Sequence, residues 1–288
     1  PIPGHDIAAL KRALRVCLEA DGPTLLHVVT KKGKGYGPAE ENPSKFHGIG
    51  PYDIATGEVK KGSSSAPKYT SVFSKAIVAE AERDHDIVAI TAAMKDGTGL
   101  AAFSEKFPKR FIDTGIAEEH AVALASGLAL GGKKPVVCIY STFMQRAFDQ
   151  LVINNALADT NVVFCLDRAG LVGDDGPTHH GVFDIAYGRM VPGVRMMAPS
   201  DEAELVHMLH TALVLEGPVI LRWPRGEARG VELPTAPQVL EEGKSCTTRE
   251  GSDVAILAFG RMVQEAEGAA DILAKCEAEL RFCACKAL

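Results

Sequence analysis

No run in the 288-residue sequence approaches the ~18 consecutive apolar residues of a membrane helix, and the first residues lack the basic start and apolar core of a secretory signal. No membrane partner is expected. Positive charge is not in excess either: 31 Lys and Arg stand against 37 Asp and Glu, a formal charge of −6. Without a basic field to hold a phosphate backbone, no nucleic-acid partner is expected. The seven cysteines are an odd number without paired-ligand spacing, which excludes a disulfide scaffold. They read as reduced and structural, Cys138 and Cys165 lying inside apolar runs and Cys283 and Cys285 offering only a weak C-x-C metal hint. No G-x-G-x-x-G follows a strand, which argues against a nicotinamide or flavin enzyme, and no internal repeat appears.

What is present is ordinary globular composition, 46% hydrophobic and 24% charged. At roughly 150 residues per domain, the length predicts about two domains. The opening PIPGHD runs at once into a helical pattern at Ile7–Leu18 with Asp6 as N-cap, and Thr24–Val29 reads as a strand. This start reads as the interior of a longer protein. Residues 31–66 are polar and rich in Gly, Pro and Ser, an active-site segment followed by a linker. From Tyr69 the periods alternate. Helices are predicted at Tyr69–Arg83, Leu100–Phe107, Ala117–Leu130, Phe143–Leu157 and Ser200–Leu215, the last capped by Ser200. Strands are predicted at Asp86–Ala92, Arg110–Asp113, Pro135–Tyr140, Asn161–Leu166, Val194–Met197 and Val219–Arg222. Continuous apolar strands alternating with helices predict an α/β fold with a doubly wound parallel sheet. A further strand at Val254–Phe259 and helix at Val263–Lys275 read as the start of another domain.

Ligands of such sheets bind beyond the carboxyl ends of the strands, which singles out three loops. In GIAEEHAVALASG, Gly115–Gly127, the acids Glu118 and Glu119 open an apolar helix of small residues. Acids favour a helix N-terminus in any case, but two adjacent acids cannot both face the core. A carboxyl group buried at such a junction shares a proton with a ring nitrogen readily, because burial disfavours its charged form. In YSTFMQRAFDQ, Phe143 is either a core contact or a stacking surface for a planar cofactor, and Arg146 faces an anion one turn later. DRAGLVGDDGPTHHG, Asp167–Gly181, packs four glycines, three acids, an Arg and two histidines into fifteen residues. It is either a solvated loop tip or a functional loop, and its spacing matches no standard metal site. Arg168 and Arg225 sit at one sheet edge and together suit a bidentate phosphate clamp. TKKGKGYGPAE, Thr30–Glu40, lacks the Walker spacing and is a weak phosphate signal.

These segments occur in the order GHD, TKKGKGY, KFHG, GIAEEHAVALASGLALGGKKPVVCIYSTFMQRAFDQ, DRAGLVGDDGPTHHGVFD, APSDEAEL and RWPRG. In that order they resemble the 1-deoxy-D-xylulose-5-phosphate synthase family of the transketolase superfamily. The resemblance covers nearly the whole chain, and the DRAG to THHG block is particular to this family. It implies a fold of the thiamine-diphosphate pyrimidine-binding type with partial flanking α/β segments. The implied reaction condenses pyruvate with glyceraldehyde 3-phosphate and releases carbon dioxide, the entry step to non-mevalonate isoprenoids. Thiamine diphosphate and Mg2+ are the implied cofactors, a homodimer the implied assembly, and the bacterial cytoplasm or a plastid the implied location.

By the same resemblance Glu118 hydrogen-bonds the aminopyrimidine nitrogen and activates the cofactor, and Phe143 stacks on the pyrimidine. Lys32 and His47 approach the diphosphate and the reaction centre. Tyr140, Arg168 and Arg225 hold the aldehyde's phosphate, with Arg146 near the same cavity, while Asp175 and His179 contact substrate oxygens, His179 being suited to proton transfer. The implied division is a diphosphate-domain remnant at 1–47, a linker at 48–68, a pyrimidine-binding domain at 69–232 and an incomplete C-terminal domain at 233–288. Two departures stand out. The family's Gly-Asp-Gly and downstream Asn, which hold diphosphate and magnesium in its N-terminal domain, are absent, so no metal ligand is assigned and the chain alone is expected to be inactive. The end reads CACKAL where the family continues with Lys-Pro-Leu. The rivals are a non-catalytic truncated module or pseudoenzyme and, far behind, a 2-oxoacid dehydrogenase β subunit, which shares the Glu but lacks the DRAG to THHG block.

Overall fold

The computed structural model describes residues 1–59, 66–274 and 280–285, the last stretch by its backbone alone. Part of the linker read at 48–68, Cys276 and the final three residues therefore lie outside the described residues, and Cys283 and Cys285 are described only as strand backbone. The chain divides into two compact units, Pro1–Ser64 and Ser65–Leu288.

In the first unit, β1 (Ile2–Pro3) pairs in parallel with β2 (Val28–Val29). The strand predicted over Thr24–Val29 shrinks to two residues because its partner offers only two to bond with. Helix α1 (Ile7–Glu19) begins as expected, the Asp6 carboxylate accepting from the Ala9 N–H at 2.9 Å. No residue of α1 is buried. Helix α2 (Gly37–Glu41) carries Pro38 in its first turn, and Tyr36, Phe46 and Tyr52 form a small aromatic cluster beside it.

The second unit contains α3 (Tyr69–Arg83), β3 (Ile87–Thr91), α4 (Ala101–Lys106), β4 (Phe111–Asp113), α5 (Glu118–Leu130), β5 (Lys134–Tyr140) and α6 (Ser141–Met144). There follow α7 (Phe148–Gln150), β6 (Val163–Asp167), α8 (Asp184–Met190), β7 (Arg195–Met197), α9 (Glu202–Val214) and β8 (Val219–Arg222). Six strands form a wholly parallel sheet in the order β4-β3-β5-β6-β8-β7. The sheet is doubly wound, as its sequence predicts. Alternate residues of each strand feed opposite cores: Val136 and Cys138 pack with α3 and α9, while Val137 and Ile139 pack with α5 and Tyr187 of α8. Cys138 and Cys165 are buried thiols in register on neighbouring strands.

Three local expectations change. The helix predicted over Phe143–Leu157 starts at Ser141 and is composite, passing through a 3-10 turn at Gln145–Ala147 and a π-helical stretch at Leu151–Ala156. The wide π turn lets the buried Asn155 side chain donate to the Gln150 carbonyl at 3.0 Å and accept from Thr160. Helix α9 is capped by Asp201, whose carboxylate accepts from the Glu204 N–H at 2.8 Å. Ser200 instead gives its N–H and hydroxyl to the Glu204 carboxylate, a reciprocal cap displaced by one residue. Helix α8 went unread inside a glycine-rich stretch. Past the sheet, β9 (Ser245–Arg249), β10 (Val254–Phe259), α10 (Met262–Ala274) and β11 (Leu280–Cys285) build a second sheet in the order β10-β11-β9.

Candidate active site

The carboxyl edge of the parallel sheet gathers most of the chemistry. Tyr140 ends β5 and Asp167 ends β6, and the two are register partners. After β4, Asp113 holds the next turn open by accepting from the Ala93 and Gly115 N–H groups at 2.8 and 3.0 Å. The chain then enters α5 with Glu118 as its first residue. Glu118 is 2% exposed, whereas the Glu119 side chain stays half exposed. The two adjacent acids thus separate as their helical positions dictate.

Arg146, one turn beyond Phe143, brings its Nη1 to 2.9 Å from Glu118 Oε2. The contact is an ion pair, and Oε2 has no hydrogen bond. It is one of two such buried atoms among the described residues, the other being Trp223 Nε1. A buried carboxylate oxygen without a hydrogen bond is costly and uncommon.

A second cluster surrounds Arg168. Its backbone is left-handed, φ 63°, a strain that non-glycine residues seldom carry outside functional sites. The guanidinium lies 3.8 Å from the Tyr140 ring centroid and donates from Nη1 to the Gly97 carbonyl at 2.8 Å and to Asp167 at 3.2 Å. A Cβ at Gly97 would collide with the Tyr140 hydroxyl, so only glycine lets this loop approach. Asp167 also accepts from the Thr70 hydroxyl at 2.6 Å. Burial raises its pKa above the ordinary carboxylate value, against the opposing pull of Arg168. Burial also pushes the Tyr140 phenol up.

Arg225 reaches the same point from beyond β8. Its Nη1 lies 2.9 Å from Asp175 Oδ1, while Arg168 Nε donates to Asp175 Oδ2 at 3.3 Å. The two expected clamp arginines therefore converge, and Asp175 lies between them. Phe143 stacks on Tyr140 with ring centroids 5.8 Å apart, and the His179 ring meets the edge of Phe143 at 5.3 Å. His179 Nδ1 is 2.9 Å from the Thr178 hydroxyl, and the Thr178 carbonyl accepts from Thr142 at 3.1 Å. Below them, buried Asp184 accepts from Ser141 at 3.0 Å and from Arg222 Nε at 2.7 Å, tying the ends of β5 and β8 to the start of α8.

Tyr140, Phe143, Arg168, Asp175, His179 and Arg225 thus form one connected group. Arg146 is not joined to the arginine pair; the anions it faces are Glu118 and, at 3.5 Å, Glu119. Lys32 and His47 lie exposed in the first unit. Beside Lys32, Glu40 pairs with Lys31 at 2.6 Å, which holds its carboxyl down to about 2. Asp167, Thr70 and Gly97 were not singled out from sequence. Asp167 carried a usable signal as the last residue of a predicted strand at the binding edge; the other two act through loop contacts that no local pattern announces.

The family profile "Transketolase, pyrimidine binding domain" matches residues 65–231. The chain belongs to this transketolase family. Among its curated relatives, the 1-deoxy-D-xylulose-5-phosphate synthase of Syntrophomonas wolfei is 52% identical over 275 residues, covering 95% of this chain and 43% of that protein. The synthase of Magnetococcus marinus is 56% identical over 273 residues, covering 95% and 44%. The chain spans less than half the length of these relatives. Among solved transketolases, one described as a split gene transketolase, an inactive beta4 tetramer, superposes with a TM-score of 0.68 at 28% identity, covering 78% of this chain and 73% of that one. Transketolase from Leishmania mexicana shares the fold with a TM-score of 0.65 over 79% of this chain and 35% of its own length, at 22% identity. In this transketolase-type chain, the matched segment contains the whole connected cluster and Glu118.

Proposed function

We propose that this chain is the cofactor-activating and substrate-binding part of a 1-deoxy-D-xylulose-5-phosphate synthase, condensing pyruvate with glyceraldehyde 3-phosphate and releasing carbon dioxide as the entry to non-mevalonate isoprenoid synthesis. The observation that carries this reading is the buried Glu118 at the carboxyl edge of a parallel sheet, whose Oε2 meets the Arg146 guanidinium as an ion pair but has no hydrogen bond. A polar atom of that kind fits the ring nitrogen of an aminopyrimidine, which would satisfy it and exchange a proton with it. Thiamine diphosphate, when bound, would supply an acidic ring carbon for attack on a carbonyl and a cationic ring able to take up the electrons left by decarboxylation.

The chain's own residues divide the remaining work. Glu118 holds the proton at the pyrimidine, and Phe143 offers it an aromatic face. Tyr140, Arg168 and Arg225 bind the aldehyde's phosphate, Arg146 serves the adjoining cavity, and Asp175 and His179 address substrate oxygens. With Nδ1 engaged by Thr178, His179 exchanges protons through Nε2. Lys32 and His47 serve the diphosphate and the reaction centre. Among the described residues no group of three or more His, Cys, Asp or Glu side chains is arranged to hold a metal ion. We place magnesium in the N-terminal domain of the family, which carries the Gly-Asp-Gly motif. The domain limits are those read from sequence, 1–47, 48–68, 69–232 and 233–288. A homodimer in the cytoplasm, with a plastid as the other setting, completes the proposal; no helix among the described residues is long and apolar enough to cross a membrane.

The test mixes the chain with pyruvate, glyceraldehyde 3-phosphate, thiamine diphosphate and magnesium, with and without an N-terminal domain supplied from a curated relative. Product only with the added domain is the expected result. No product and no cofactor binding in either mixture would overturn the proposal.

A further inference from the structure

The arginine pair already holds an anion, and that anion belongs to the protein. Arg168 Nε and Arg225 Nη1 each contact a different oxygen of the Asp175 carboxylate. This is how two guanidiniums grip two oxygens of a phosphate. Arg168 is fixed independently of Asp175 by Gly97, Asp167 and the Tyr140 ring, and Arg225 is steadied by the Val172 carbonyl at 3.2 Å. The Arg168 half of the cationic site therefore keeps its shape when the carboxylate leaves, while the tie of Arg225 is to Val172, the residue before the Gly173 joint.

Asp175 is mounted so that it can leave. It ends a 3-10 turn, Gly173–Asp175, between two left-handed glycines, Gly173 at φ 60° and Gly176 at φ 80°. The loop is clipped at its base by paired backbone hydrogen bonds between Gly170 and Gly181, at 2.7 and 2.9 Å. The ten residues between them form a flap with closed ends and a glycine-jointed crown. Charge makes displacement necessary. Two guanidiniums meet two carboxylates, Asp167 and Asp175, so the pocket is balanced as it stands. A dianion added to it would leave two uncompensated negative charges in a half-buried space, whereas exchange for Asp175 leaves one.

We propose that Asp175 is a built-in stand-in for phosphate: it occupies the Arg168–Arg225 clamp and yields it only to a more highly charged anion, making the site selective for phosphorylated substrates over carboxylates. The proposal rests on the reading that this arginine pair is the phosphate site. A tethered carboxylate competes at a high effective concentration, so a free carboxylate has no advantage over it and a dianion does.

Calorimetric titration of the 288-residue chain and its variants with inorganic phosphate, and separately with acetate, tests this. Asp175→Asn keeps the side-chain shape and removes the charge. It is expected to tighten phosphate by on the order of tenfold, the size of one charged hydrogen bond, and to bind acetate that the unaltered chain does not hold. Asp175→Ser, which cannot span both arginines, is expected to do the same, and an unchanged thermal melt excludes loss of fold. If phosphate binds no more tightly to either variant, the stand-in is overturned. Arg225→Met separates the two readings: if phosphate affinity is unchanged in this variant, the arginine pair is not the phosphate site.

Discussion

Helices α5 and α9 are each thirteen residues long, and each places a buried glutamate at its first position. Their carboxylates meet opposite fates. Glu202, fully buried, accepts from three backbone N–H groups: Oε2 from Arg229 at 3.1 Å, and Oε1 from Gly230 at 2.6 Å and Val231 at 2.8 Å. Glu118 has a guanidinium in reach and one oxygen without a hydrogen bond. The helix dipole favours both acids equally. A buried carboxylate saturated by its own chain is a clamp, here on the segment leaving the parallel sheet, while Glu118 keeps hydrogen-bonding capacity that its own chain does not use.

The sharpest way to break this contrast is to neutralise each acid in turn. Glu118→Gln, in the chain assembled with the supplied N-terminal domain, is expected to lower turnover by about 10²–10⁴-fold, the usual worth of a positioned acid or base. Its denaturation midpoint should stay near that of the unaltered protein. Unchanged turnover, measured by product formation, would remove Glu118 from its role. Glu202→Gln should do the reverse. Losing charged hydrogen bonds to buried N–H groups costs about 2–4 kcal/mol, read by urea denaturation, and a variant as stable as the original would show that the clamp is not needed.

The smallest expected effect reports on the charge of Glu202. Tyr69 is raised to about 12, first by burial and then by the neighbouring charges of Glu202 and Asp201. Because the folded value exceeds the unfolded value near 10, this phenol's contribution to stability is complete below pH 10 and is lost as pH rises towards 12. In Glu202→Gln the tyrosinate absorbance should appear at lower pH. Tyr69→Phe should hold its stability further into the alkaline range, as measured by denaturation at pH 9 and pH 11.

The same contrast shows how far the sequence reaches. Glu118 and Glu202 both stand at predicted helix starts, and nothing in EEHAV or DEAEL tells the ion-paired acid from the clamp. The difference lies in what folds over each: an Arg229–Val231 backbone in one case, the side of an arginine in the other. Strand and helix periods depend on burial of neighbouring residues and were legible, so Val219–Arg222, Val254–Phe259 and Tyr69–Arg83 end where expected. Less legible were features set by long-range partners. The π turn at Leu151–Ala156 follows from Asn155 finding Gln150 and Thr160, and the short β2 from the length of β1. For the site, order along the chain placed Tyr140, Arg168 and Arg225 at one edge. Only geometry showed Asp175 between the arginines and Arg146 turned towards Glu118.

Gly97 draws these threads to a practical end. It has no functional group, yet its carbonyl takes the Arg168 guanidinium and its bare Cα is the space in which the Tyr140 hydroxyl sits. Enlarging it by one methyl would lift the ring on which that guanidinium rests. A search for variants that lose the set of the Arg168 guanidinium would therefore return a silent loop residue beside the arginines, and a designer wishing to retune the pocket has a lever there with no functional group of its own.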